Sequence, residues 1–266
     1  MTETYPQQPS PDHVVVTPLY ASEGVRTPPI RSKGSQIGKI VCPTTNSVIH
    51  TESGTEHNAV MCLYADRSIK KVRSQAVRFS YTDREGTERD HILDLRATRD
   101  DDYNYGGVVK VADKAESMDL DAFVDLLATQ ISTEVADELR PLTDEQMPEW
   151  QIRKARLFRK VRTERRTSVD DQLRLLAPEL TDPITVGELS ERLGGGSIAF
   201  RPIVRAIFYG TLTHLSNDMI EPGGLVQYSG EVGHDLDAER RVEVSVALQL
   251  YKPPAPKAKS ASKAAA

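Results

Sequence analysis

Apolar and polar positions divide the chain into two patterned stretches with an acidic segment between them. In the first, Ala59, Val60, Leu63 and Tyr64 recur at helical spacing after Glu56, which predicts a helix over 56–64 with Thr55 as its cap. Val72, Ser74 and Ala76 alternate, and the run 77–81 reads as β. Asp83-Arg84-Glu85-Gly86 is turn chemistry that joins this strand to a partner over 88–98. Gly106-Gly107 then releases a third strand over 108–112. Asp119 starts an amphipathic helix with Leu120, Phe123, Val124, Leu127, Ile131 and Val135 on one face. The predicted order is helix, β-hairpin, strand, helix.

The acidic, proline-bounded segment 141–148 suits a domain junction. Beyond it, 149–176 reads as one basic helix broken near Ser168. Asp182 is a candidate cap for a helix containing Val186, Leu189 and Leu193. Gly194-Gly195-Gly196-Ser197 makes a turn, and a second helix spans 198–209 with Pro202 in its first turns. Leu212, His214 and Leu215 begin a short strand, and Val242, Val244, Val246, Leu248 and Leu250 alternate as a last one. Helix, glycine turn, helix and β-element is helix-turn-helix order of the winged kind.

Composition adds limits to this picture. Only 38% of the 266 residues are apolar, low for one compact unit, so part of the length is expected to be disordered. Residues 1–34 and 251–266, rich in Pro, Ser, Ala and other small or polar types, are the candidates. That leaves two domains, 35–140 and 149–250. Cys42 and Cys62 form neither a disulfide framework nor a zinc pattern. With no 18-residue apolar run and no signal-like start, the expectation is a soluble, cytoplasmic protein without membrane contact.

Net charge is −5, but its distribution is polarised. Arg153, Lys154, Arg156, Arg159, Lys160, Arg162, Arg165 and Arg166 crowd one stretch, and acidic residues collect between 113 and 149. Such clustering makes a local positive field able to hold phosphates. Arg201 and Arg205 share one face of the second helix, within reach of phosphates or guanine edges. A solvated face, or a surface for an acidic protein partner, is the plainer reading of such a run.

Candidate chemistry lies at three positions. Asp94 sits in the apolar run Ile92-Leu93-Asp94-Leu95, Lys110 in Val108-Val109-Lys110-Val111-Ala112, and Glu56 at the start of the first helix. A carboxylate at one strand end, a lysine on the next strand and an acidic helix is how one nuclease architecture presents a divalent metal to a phosphodiester. The bland alternatives are a first-turn glutamate favoured by the helix dipole and a lysine guarding a strand edge.

These residues in this order, followed by the helix-turn-helix segment, resemble a TnsA-type transposon endonuclease. That resemblance covers about 35–227. It implies an α/β fold with a restriction-endonuclease-like mixed sheet flanked by helices, followed by a mostly helical winged-helix-like domain. It further implies DNA as substrate, Mg2+ as cofactor if active, and a transposase or ATPase as partner in a mobile element or phage. By that resemblance Glu56 and Asp94 are metal ligands and Lys110 is the catalytic lysine. The position where the family has an acid or amide, two before the lysine, holds Val108. Isopropyl carbon offers a metal no lone pair. The expectation is therefore an impaired site in which Lys110 stands in for the ion, with strand alternation placing 108, 110 and 112 on one face. An active endonuclease, and a transcription regulator or adaptor reusing the fold, are the alternatives.

Overall fold

The computed structural model describes residues 19–26 and 37–234, and the strand expected over 241–250 lies outside them. The chain opens with an antiparallel pair, β1 (Gly38–Val41) and β2 (Val48–Thr51). It continues into α1 (Gly54–Tyr64), β3 (Ile69–Ser74), β4 (Arg78–Thr82), β5 (Glu88–Ile92), β6 (Leu95–Arg99) and β7 (Asn104–Val109). Next come α2 (Ala112–Ser117), α3 (Leu120–Ala128) and β8 (Glu138–Leu142). The result is a mixed four-stranded sheet in the order β3-β6-β7-β8, with only the β7–β8 pair parallel. A parallel neighbour needs a crossover, and α2 and α3 supply it.

Helices cover this sheet on both faces. On one side Ala59, Val60, Met61 and Tyr64 of α1 pack against Ile69, Val72, Leu95, Ala97 and Val109. On the other, Leu120, Val124 and Leu127 of α3 pack against Leu93, Val108 and Leu139. Asp119 caps α3 as expected, with its carboxylate accepting from the Ala122 amide. The helix ends at Ala128, so Ile131 and Val135 join the same core from the following loop.

Several expected elements are redrawn. The cap of α1 is Ser53, whose hydroxyl accepts from the Glu56 amide, and not Thr55. Gly106 and Gly107 lie inside β7, because a Cβ at Gly106 would come within about 3.0 Å of the Leu93 side chain. Residues 138–142 form β8, an integral strand of the sheet that crosses the boundary drawn at 140. Within the N-terminal segment expected to be disordered, Tyr20 pairs with the 46–48 backbone and Val25 donates to the Gln75 carbonyl. The rest of 1–34 and all of 251–266 lie outside the described residues.

The basic stretch forms α4 (Glu149–Thr163) and α5 (Ser168–Leu176). It is followed by β9 (Ile184–Thr185), α6 (Val186–Arg192), α7 (Gly196–Tyr209), β10 (Leu212–His214) and β11 (Leu225–Tyr228). Thr185, not Asp182, caps α6, in a reciprocal box with Glu188. The three strands make a small antiparallel sheet in the order β10-β11-β9. Leu173, Leu189, Ile203, Phe208, Leu212 and Val226 form its core. Helix α4 belongs to both units: Ile152 and Ala155 pack with α1, and Phe158 and Val161 pack with α7. Among the described residues no helix is long and apolar enough to cross a membrane.

Candidate active-site cluster and the basic helix

The expected long strand over 88–98 is two strands, and the break positions Asp94. Register slips by one residue between the Ser74–Leu95 pair of one sheet and the Arg78–Ile92 pair of the next. Gln75, with φ of 48°, still donates to the Asp94 carbonyl at 2.8 Å, and the extra residue falls just after it, where Ala76 and Val77 both bond to Leu93. Such a bulge breaks side-chain alternation. Across the bend at Asp94, Leu93 faces the α3 core and Leu95, two residues on, faces the α1 core. Asp94 sits at the turn between those faces.

Lys110 meets it there. Its ammonium donates to Asp94 Oδ2 at 3.1 Å and to the Val109 carbonyl at 2.8 Å. The same Asp94 oxygen accepts the Val109 amide at 2.9 Å. Strand β7 ends at Val109, so the expected strand over 108–112 stops before Lys110, and Ala112 opens α2. The expected alternation of 108, 110 and 112 along one strand therefore does not reach 112, which lies in α2. Val108 is fully buried in the α3 core, while Val109 faces α1. Neither valine offers a polar side-chain atom.

Glu56 enters from α1. It is buried, and its Oε2 accepts the Glu52 amide at 2.8 Å, closing the helix entrance. Burial pushes its carboxyl up to about 7, and the nearby charges of Asp94 and Glu52 push the same way. The Glu52 amide and Lys110 act against that rise. Glu56, Asp94 and Lys110 thus share one electrostatic neighbourhood. His91 borders it as well: burial lowers its imidazole, Lys110 lowers it further and Asp94 opposes. Its ring lies edge-on to Phe79 and Phe123, and its buried Nε2 has no hydrogen-bond partner. Sequence spacing assigned His91 no role; its position three residues before Asp94 on β5 was the available signal.

The basic residues separate into two kinds. Arg162 is buried, donating to the Tyr64 carbonyl with its guanidinium 4.6 Å from the Phe208 ring centroid. Arg205 is buried as well, pairing with Asp170 and donating to the Val161 carbonyl. Both are removed from the expected DNA surface, because their helix faces pack against other elements. Arg201 is held by Glu164 at 3.0 Å, and Lys154 contacts His214 at 3.5 Å. Arg153 pairs with Glu149 within one turn. Arg159 reaches the Val41 carbonyl and Arg156 reaches Asn58 of α1. Arg153, Arg156, Lys160, Arg165 and Arg166 are exposed.

Comparison of the sequence with protein-family models gives no match, and comparison with curated proteins gives none either.

Proposed function

We propose that this protein is a DNA-associated factor whose nuclease-type centre has become a structural ion pair. In this reading the N-terminal sheet is restriction-endonuclease-like and the C-terminal unit is a winged helix. Two features support the assignment: a kinked strand carrying Asp94 beside a strand ending in lysine, and two helices followed by a small antiparallel sheet. The observation that carries the functional reading is the Asp94–Lys110 contact.

A hydrolytic magnesium needs several oxygen ligands to acidify its water and neutralise phosphorane charge. The donor set here does not fit that need. One Asp94 oxygen is already shared between an ammonium and an amide, Glu56 holds its proton toward neutral pH, and residues 108 and 109 are valines. No group of three or more His, Cys, Asp or Glu able to hold an ion occurs among the described residues. Lys110 therefore takes the place of the cation, and the site ties the start of β6 to the end of β7 without cutting. DNA is retained by the exposed basic residues of α4 and the turn after it, in a salt-dependent way. By resemblance the setting is a mobile-element or phage DNA transaction with a transposase or ATPase.

A gel-shift and a supercoiled-plasmid nicking assay with Mg2+ or Mn2+, run together, test this. Retention without nicking is expected, weakening with salt and in Arg156→Glu/Lys160→Glu. Robust nicking lost in Asp94→Ala would overturn the ion-pair reading. Failure to retain DNA at low salt would remove the DNA association.

The C-terminal unit supports a second reading, as a protein-contacting adaptor module. Its second helix exposes Ile198 (66%) one turn from Arg201, whose charge Glu164 already answers, and its other arginine is buried. Restored DNA binding on grafting α7 alone would speak against it.

A further inference from the structure

On β3 and β6, Val72, Leu95 and Ala97 face α1, so Lys71, Arg73 and Arg96 project from the opposite face. The α3 core that covers that face contains residues of β7 and β8 but none of β3 or β6. Among the described residues no hydrophobic cluster covers the outer half of this face, which is cationic, with Lys71, Arg73 and Arg96 half-buried there. Register places Arg73 directly opposite Arg96. Like charges facing each other across a ladder oppose pairing, so this arrangement is not explained by sheet stability. The Nε atoms of both arginines are buried and without hydrogen-bond partners. Thr98 lies opposite Lys71, and Asn104 opposite Thr98, extending the polar row inward. Burial and then Arg73 hold the Arg96 guanidinium below its ordinary range, with Asp137 opposing from the flank.

One short segment answers part of this charge. Glu23 reaches Lys71 at 2.7 Å and Arg73 at 3.8 Å. Its backbone is anchored on both sides: Tyr20 exchanges hydrogen bonds with the 46–48 turn, and Val25 donates to the Gln75 carbonyl at 2.8 Å. Between them, Gly24 lies so close that an added Cβ would stand 2.7 Å from the Ser74 carbonyl oxygen. The Glu23 carboxylate thus answers two of the three cations, Lys71 and Arg73, from a strap that is held by backbone contacts beside the edge strand.

We propose that the cationic β3–β6 face is a phosphate-binding surface that Glu23 masks in cis, and that a phosphate-bearing ligand displaces it. Two adjacent guanidinium groups with unused Nε–H donors suit a tetrahedral oxyanion, which accepts several charge-assisted bonds at once. The phosphate can come from a nucleic-acid backbone or from a free polyphosphate. Only the first source rests on the DNA association proposed above.

The test uses the full chain. Binding of a fluorescein-labelled DNA duplex is followed by anisotropy for wild type, Glu23→Gln, and Glu23→Gln combined with Arg73→Gln or Arg96→Gln. In parallel, the arginine Nε–H resonances are followed by NMR during titration with the same duplex or with inorganic pyrophosphate. Glu23→Gln is expected to tighten duplex binding by about two- to fivefold. Its salt slope should steepen by about one for each phosphate gained. Either arginine substitution should cancel both changes, and the Arg73 and Arg96 resonances should move. Movement with pyrophosphate but not with duplex assigns the surface to free polyphosphate, even if DNA association fails. Duplex binding that is unchanged in Glu23→Gln, with both resonances unmoved by duplex and by pyrophosphate, overturns the surface while sparing the DNA association. Resonances unmoved by either ligand overturn it outright, whatever the folding of the variants.

Discussion

Arg162 on α4 donates to the carbonyl of Tyr64 at the end of α1, 98 residues away in sequence, while lying over the Phe208 ring of α7. One buried cation therefore joins the N-terminal sheet unit to the C-terminal helical unit. Its removal leaves a buried carbonyl short of a donor and an aromatic face without its cation. Arg162→Met should cost about 2–4 kcal/mol in urea unfolding. The exposed neighbour change Lys160→Met should leave the midpoint almost unmoved.

Asp170 and Arg205 form a second buried pair, with side chains 8% and 5% exposed. Removing one partner strands the other charge in the core. Asp170→Ala is expected to destabilise by about 3–5 kcal/mol, with Asp170→Leu/Arg205→Met recovering part of that loss. A double variant no more stable than Asp170→Ala alone would show that the pair contributes more than its desolvation costs.

Glu56 gives the fold a pH dependence of known sign. Its ordinary value is 4.5 and its folded value about 7. Below the ordinary value both folded and unfolded chains carry the proton. As pH rises between these values the unfolded chain releases it first, so the folded state loses stability through that window. The loss is on the order of 3 kcal/mol when ionisation is complete. Thermal unfolding of wild type should show midpoints falling from pH 5 to pH 8. Glu56→Gln, which keeps an acceptor for the Glu52 amide, should flatten that slope.

The Asp94–Lys110 pair is testable by a double-mutant cycle, since both side chains are largely shielded (15% and 23% exposed). Asp94→Ala, Lys110→Met and the double variant should give a coupling of about 1–3 kcal/mol. Asp94→Ala should cost more than Lys110→Met, because it also orphans the Val109 amide. A coupling near zero would mean that the contact contributes nothing to the site's stability.

Much of the local structure was legible in the sequence. The periodic run after Glu56 is α1, Asp119 caps α3, and the 83–86 turn closes the β4–β5 hairpin. Gly194 and Gly195 separate α6 from α7, which Gly196 already opens. Less legible were the elements whose identity depends on partners. Residues 138–142 carry Pro141 and acidic flanks, and became a strand because β7 offered a parallel edge. The helix-face arginines looked alike in sequence, yet Arg162 and Arg205 are interior and Lys160 is not.

The candidate site divides in the same way. Sequence alone selected Glu56, Asp94 and Lys110, because charged residues at strand and helix ends stand out from apolar surroundings. It also determined most of the helices and the β4–β5 hairpin, which follow from periods of 3.6 and 2 carried by near neighbours. Tertiary structure alone decided where those side chains point. The bend at Asp94 set Leu93 and Leu95 on opposite cores, β7 ended at Val109 just before Lys110, and β3–β6 pairing set Arg73 against Arg96. Each of these depends on which residue lies opposite across a ladder or beneath a helix, and that information is not local to any stretch of chain.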